Sequence, residues 1–91
     1  MQPPSRVPDW DDLRFLATIG REGTLAAAAR RLGVDQTTVA RRLRALDEAL
    51  GTPLFERHEG RWQPTPVGTR VLERCSRIED EVAGLVRVAE A

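Results

Sequence analysis

Residues 23–57 read GTLAAAARRLGVDQTTVARRLRALDEALGTPLFER, and the fold turns on this stretch. Thr24 can cap a short helix in which Leu25, Ala28, Ala29 and Leu32 follow the i, i+3, i+4, i+7 rule of one buried face. Gly33 suits the left-handed residue that stops such a helix. Asp35 then caps a longer helix that Gly51 ends, with Val39, Leu43, Leu46 and Leu50 as its apolar stripe. Two short helices joined by a tight turn containing glycine describe a helix-turn-helix. The face opposite the stripe carries Gln36, Thr37, Ala40, Arg41 and Arg44.

Upstream, residues 1–8 (MQPPSRVP) read as a flexible arm. Asp9 caps a helix whose apolar positions Leu13, Leu16, Ala17 and Ile19 recur at helical spacing up to Gly23. Downstream, Thr52–Phe55 is a short extended piece. It leads through His58-Glu59-Gly60 to Arg61-Trp62-Gln63, a small hairpin with glycine at its tip. Thr65-Pro66 is a helix start, a cap followed by proline at the first helical position. The helix it opens runs to Glu90 and would be ~37 Å long. Val71, Cys75, Ile78, Val82, Leu85 and Ala89 recur in it at alternating spacings of 4 and 3, a heptad seam that asks for a partner helix, most simply from a second copy. The expected fold is mainly α: a winged helix-turn-helix over 9–65 with a two-stranded β wing, followed by a long dimerisation (linker) helix over 66–91.

Composition narrows the function. At 91 residues the chain is one domain and buries only about 60–65% of its unfolded surface, too little for a large pocketed enzyme. Its single Cys and single His exclude an intrachain disulfide and a Cys/His zinc site. No nucleophile–base pair, metal cluster or phosphate-cradling glycine loop is present, so an enzyme, a metal and a cofactor are all unexpected. The first eight residues are not a signal peptide, and no apolar run approaches a membrane span, which makes a reducing, cytoplasmic compartment the expectation. Net charge is zero, 14 basic against 14 acidic, and every base is Arg. A global count hides placement, however: residues 23–63 hold Arg30, Arg31, Arg41, Arg42, Arg44, Arg57 and Arg61 against five acids.

The stretch 23–57, with the TPVG that follows at 65–68, resembles the signature of the LysR-type transcriptional regulators over roughly residues 10–90. The resemblance implies bacterial, nucleoid-associated DNA binding as a dimer, with the long helix leading to a C-terminal effector-sensing domain. That domain is absent from this chain, so a small-molecule effector is expected only through it and the chain reads as an excised domain. Leu25 stands where an aromatic is usual, Asp35 where a serine caps the recognition helix, and Pro64 where a strand residue is apolar. Thr37 and Ala40 replace the commoner proline or serine and serine; at Ala40 a hydroxyl that relatives can offer to DNA is missing.

The residue chemistry then assigns roles. Gln reads adenine N6 and N7, Arg reads guanine O6 and N7, and small apolar groups meet the thymine methyl. Gln36, Thr37, Ala40 and Arg41 are therefore the expected base contacts of a recognition helix over about 36–50 in the major groove. Thr24, Thr38, Arg44, Arg57 and Arg61 are the expected phosphate or minor-groove contacts, Arg61 from the wing. Arg42 points between the two faces, toward a salt bridge with Asp35 or a core edge. Trp62 is expected to pack the wing and Trp10 to lie in the core or an interface. The competing reading is a winged-helix interaction or assembly module without DNA specificity, which zero net charge favours and the Gln36/Arg41/Arg44 face opposes.

Overall fold

In the computed structural model, residues 7–91 are described, and the expected arm lies outside them as far as residue 6. The order is α1 (Trp10–Glu22), α2 (Leu25–Leu32), α3 (Gln36–Leu50), β1 (Phe55–His58), β2 (Arg61–Pro64) and α4 (Pro66–Glu90). α1 starts because Asp9 and Asp12 cap one another reciprocally. The Asp12 amide donates to the Asp9 carboxylate at 2.9 Å and the Asp9 amide to the Asp12 carboxylate at 3.0 Å. α2 starts at Thr24, whose hydroxyl accepts from the Ala27 amide at 3.1 Å. Asp35 holds the extended backbone of a cap, but its exposed carboxylate makes no cap hydrogen bond and stays with solvent, contrary to the expectation for it.

Phe15, Leu16 and Ile19 of α1 meet Val39, Leu43 and Leu46 of α3 in the core. Ala28 and Ala29 are α2's fully buried residues, and Leu25 and Leu32 pack half-buried against the same core. Leu50 is 39% exposed in the last turn of α3, so the apolar stripe ends at Leu46.

The wing is an antiparallel hairpin pairing Phe55 with Pro64, Glu56 with Gln63, Arg57 with Trp62 and His58 with Arg61. Glu59 and Gly60 (φ 52° and 81°) both take left-handed backbone, as a two-residue turn matched to strand twist requires. The Trp62 amide donates to the Gly23 carbonyl at 2.8 Å, which ties the wing to the α1–α2 corner. Trp62 itself packs against the core, as expected, whereas Trp10 is exposed and so lies outside the core.

α4 opens at Thr65, whose hydroxyl accepts from the Gly68 amide at 3.0 Å and donates to the Pro53 carbonyl at 2.9 Å. It crosses α1 with Leu72 against Gly20 and a 3.6 Å Arg21–Glu79 ion pair. Here the single-seam expectation needs correcting. Cys75 is 3% exposed within its own chain and has no surface to offer a partner. Val71 is half-buried and packs on the same core. At about 100° per residue, Leu72, Cys75 and Glu79 share a face that meets α1 at Leu72 and Glu79, roughly a quarter turn from Ile78, Val82, Leu85 and Ala89. Only the latter set stands free, Leu85 being 69% exposed.

Candidate nucleic-acid interface

Because Val39, Leu43 and Leu46 lock α3 into the core, its rotation is set and so is its outward face. Thr37, Arg41 and Arg44 are exposed on that face, within about 60° of one another around the helix. Gln36, exposed, and Ala40, half-buried, lie toward the wing. Thr38 lies on the opposite flank with Arg42, so the expected residues do not form one continuous patch.

The flank toward the wing carries two neighbouring hollows. One, of about 150 Å³, is walled by Thr24, Ala26, Gln36, Arg57, Gly60 and Trp62, with Leu25 between them. The cap and first two residues of α2 line this hollow, and the first turn of a helix is positive and has spare N–H donors. Arg57 stands over the Trp62 ring, 5.7 Å from its centroid, on the paired strand. A helix N-terminus, a hydroxyl and a guanidinium so arranged suit a phosphate. The second hollow, of about 250 Å³, lies along the same flank and is walled by Leu25, Ala40, Leu43, Arg44, Asp47 and Trp62. Asp47 accepts from the Leu54 amide at 3.0 Å, and burial pushes its carboxyl above the usual range.

Arg61 differs from its expected reach out of the wing. Its Nη2 donates to the Glu22 carbonyl at 3.4 Å and its guanidinium lies against Gly23, where a Cβ would collide with it. The seat exists because residue 23 has no side chain. Arg30 and Arg31 are exposed on α2, Arg31 standing 3.7 Å from Glu22.

The sequence reading missed the true partners of Arg42. Its Nη2 bonds Asp11 at 2.8 Å and Asp12 at 3.2 Å, and the guanidinium sits 4.3 Å from the Phe15 ring centroid. Asp35 is not involved. Asp12 is 1% exposed, so this is a buried charge answered from another helix. The bonds from Arg14 and then Arg42 hold the Asp11 carboxyl below its ordinary value. The only trace of this in the sequence is the position of Arg42 at the edge of the apolar stripe. Among the described residues no three or more His, Cys, Asp or Glu are grouped to hold a metal ion, and no helix is long and apolar enough to cross a membrane.

With this geometry, the chain can be compared with known proteins. The pattern of the bacterial regulatory helix-turn-helix proteins of the lysR family matches residues 10–69. The small neutral protease regulatory protein of Streptomyces coelicolor (strain ATCC BAA-471 / A3(2) / M145) is 44% identical over 79 residues, which are 87% of this chain and 24% of that protein. The Mau operon transcriptional activator of Paracoccus denitrificans is 39% identical over 83 residues, 91% of this chain and 27% of the activator. The chain thus spans about a quarter of the length of these relatives. Among solved structures, the CbnR_DBD–DNA complex superposes with a TM-score of 0.77 at 30% identity, covering 92% of this chain and 100% of that one. The match runs from the first turn of α1 through the wing into α4, and the chain belongs to the lysR family of bacterial regulatory helix-turn-helix proteins.

Proposed function

We propose that this chain is the sequence-specific DNA-binding part of a LysR-type transcriptional regulator and binds an inverted-repeat operator as a homodimer. The observation that carries the proposal is the exposure of Thr37, Arg41 and Arg44 on one face of a helix whose other faces are held by the core and by α1. A helix so fixed presents its N-terminal side chains to base edges in the major groove at a defined angle. Arg41 reads guanine and Gln36 adenine, while Thr37 and Ala40 offer apolar contact. Thr24 and Arg57 hold one strand's phosphates, supported by Arg44 and, on the other flank, Thr38. Arg61 joins them when it leaves the Glu22 carbonyl, a single long hydrogen bond.

The homodimer rests on the free stripe Ile78, Val82, Leu85 and Ala89, an exposed apolar heptad on a helix of 25 residues. Two copies related by a two-fold axis set the spacing of two recognition helices, so half-sites lie about one helical turn apart or a multiple of it. The protein acts in the cytoplasm on chromosomal DNA, and an effector acts through a further domain of the whole regulator.

Fluorescence anisotropy against duplexes enriched from a random library, and against scrambled duplex, at two salt concentrations tests this. Each phosphate contact adds about 0.9 to the salt slope, so four to six per protomer give steep dependence. Arg41→Ala costs about 1–3 kcal/mol on the enriched site and little on scrambled DNA. Weak binding indifferent to sequence and to Arg41 would transfer the weight to an assembly module built on α4.

A further inference from the structure

The two hollows beside α3 differ in chemistry, although they share Leu25 and Trp62 as walls. The first has a positive helix end, a hydroxyl and the Arg57 guanidinium, and no carboxylate among its walls. The second is apolar along Leu25, Ala40, Leu43 and Trp62, and at its polar end Arg44 is accompanied by Asp47. A phosphate entering there would meet a carboxylate together with the cation, so charge disfavours it. An uncharged base edge has no such objection. The hollow opens beside the outward face of the recognition helix, one helical turn beyond Gln36.

Among the base edges a major groove displays, the pyrimidine C5 position carries the one apolar group, a methyl in thymine. One wall of the hollow is the Ala40 side chain, a methyl without a hydroxyl. Trp62 packs half-buried against the core while its backbone amide donates to the Gly23 carbonyl at 2.8 Å, and Leu25 packs on the same core at the head of α2, directly after the Thr24 cap. The apolar walls are therefore built before any ligand arrives, and a methyl entering them loses water without requiring a rearrangement.

We infer that the hollow between Ala40, Leu25 and Trp62 seats the 5-methyl group of a pyrimidine in the operator, making these residues determinants of sequence specificity. This inference rests on the DNA-binding reading above and adds to it the class of base opposite Ala40. The same chemistry comes from two sources, thymine and 5-methylcytosine, so the seat also makes binding responsive to cytosine C5 methylation at that position.

The test uses the intact chain and the duplexes it enriches from a random library. Each thymine of a half-site is replaced singly by deoxyuridine, which removes the methyl and nothing else. One position per half-site is expected to lose about fourfold in affinity, the ~0.8 kcal/mol of one buried carbon group. At that position cytosine and 5-methylcytosine are then compared, and the methylated base is expected to bind about fourfold more tightly. In Ala40→Ser, whose hydroxyl enters the apolar wall, the thymine-to-uracil ratio is expected to fall toward one. Equal affinity for thymine and uracil at every position overturns the inference and leaves the regulator reading intact. Failure to enrich any sequence overturns the regulator reading, and the seat with it. A thymine preference without a 5-methylcytosine preference supports the seat and assigns it to thymine.

Discussion

Arg42 shows how one side chain can be read correctly in position and wrongly in purpose. It lies in the recognition helix beside Arg41, yet it turns to α1 and answers Asp11 and the buried Asp12. Removing it leaves a buried carboxylate short of its cation, which costs far more than an exposed ion pair is worth. Arg42→Ala is expected to destabilise the domain by about 3 kcal/mol in urea denaturation at neutral pH. The pH dependence has a definite sign. Asp11 is lowered in the folded state from an ordinary 3.8, chiefly by Arg14 and then by Arg42. Its contribution is therefore present above 3.8 and lost as pH falls through the lowered value. The gap between wild type and Arg42→Ala should narrow as pH is brought from neutrality to about 2.5; a gap constant with pH would exclude ionised carboxylates as its source.

At the scale of elements, α4 contains two glycines, Gly68 and Gly84, each a poor helix former. Gly68 lies in the first turn, where an added Cβ would run into the Leu54 carbonyl oxygen, a backbone atom that cannot rotate away. Gly84 faces open space, the nearest neighbour of an added Cβ being the end of the flexible Arg87 at 3.7 Å. Alanine adds roughly 1 kcal/mol of helix propensity at either site. Gly84→Ala is thus expected to raise the Tm by several degrees, at about 4–8 °C per kcal/mol for a domain of this size. Gly68→Ala is expected to lower it by about 10 °C, as overpacking of the wing–α4 joint exceeds the propensity gain. Thermal melts followed by circular dichroism check both, and equal effects at the two sites would refute the close approach at Leu54.

For the molecule as a whole, the question is what covers the free stripe of α4. Leu72 packs on α1 at Gly20 and Cys75 is buried, but Val82 and Leu85 are exposed. The double substitution Val82→Glu and Leu85→Glu touches no core residue and places four like charges, two per copy, across the proposed seam. Sedimentation equilibrium is expected to show the wild-type chain self-associating and the double variant monomeric, with an unchanged helical circular dichroism signal. Operator affinity should fall with it, since two half-sites are then engaged independently. A double variant that remains dimeric would move the interface elsewhere on the molecule.

Much of this was legible in the chain itself. Apolar periodicity, the Asp9 and Thr24 caps, the glycines at 23, 33 and 51, and Thr65-Pro66 define the helices to within a residue, because these signals act between near neighbours along the backbone. The outward face of α3 followed from its buried stripe for the same reason. Tertiary structure alone decided matters that depend on residues distant in sequence. It paired Arg42 with carboxylates 30 and 31 positions away, and folded Arg61 onto the Glu22 carbonyl 39 positions back. It also divided one apparent heptad into a first part, half-buried Val71 and buried Cys75, and a second part left bare. Periodicity records that a helix face is apolar; what buries that face depends on the path of the rest of the chain.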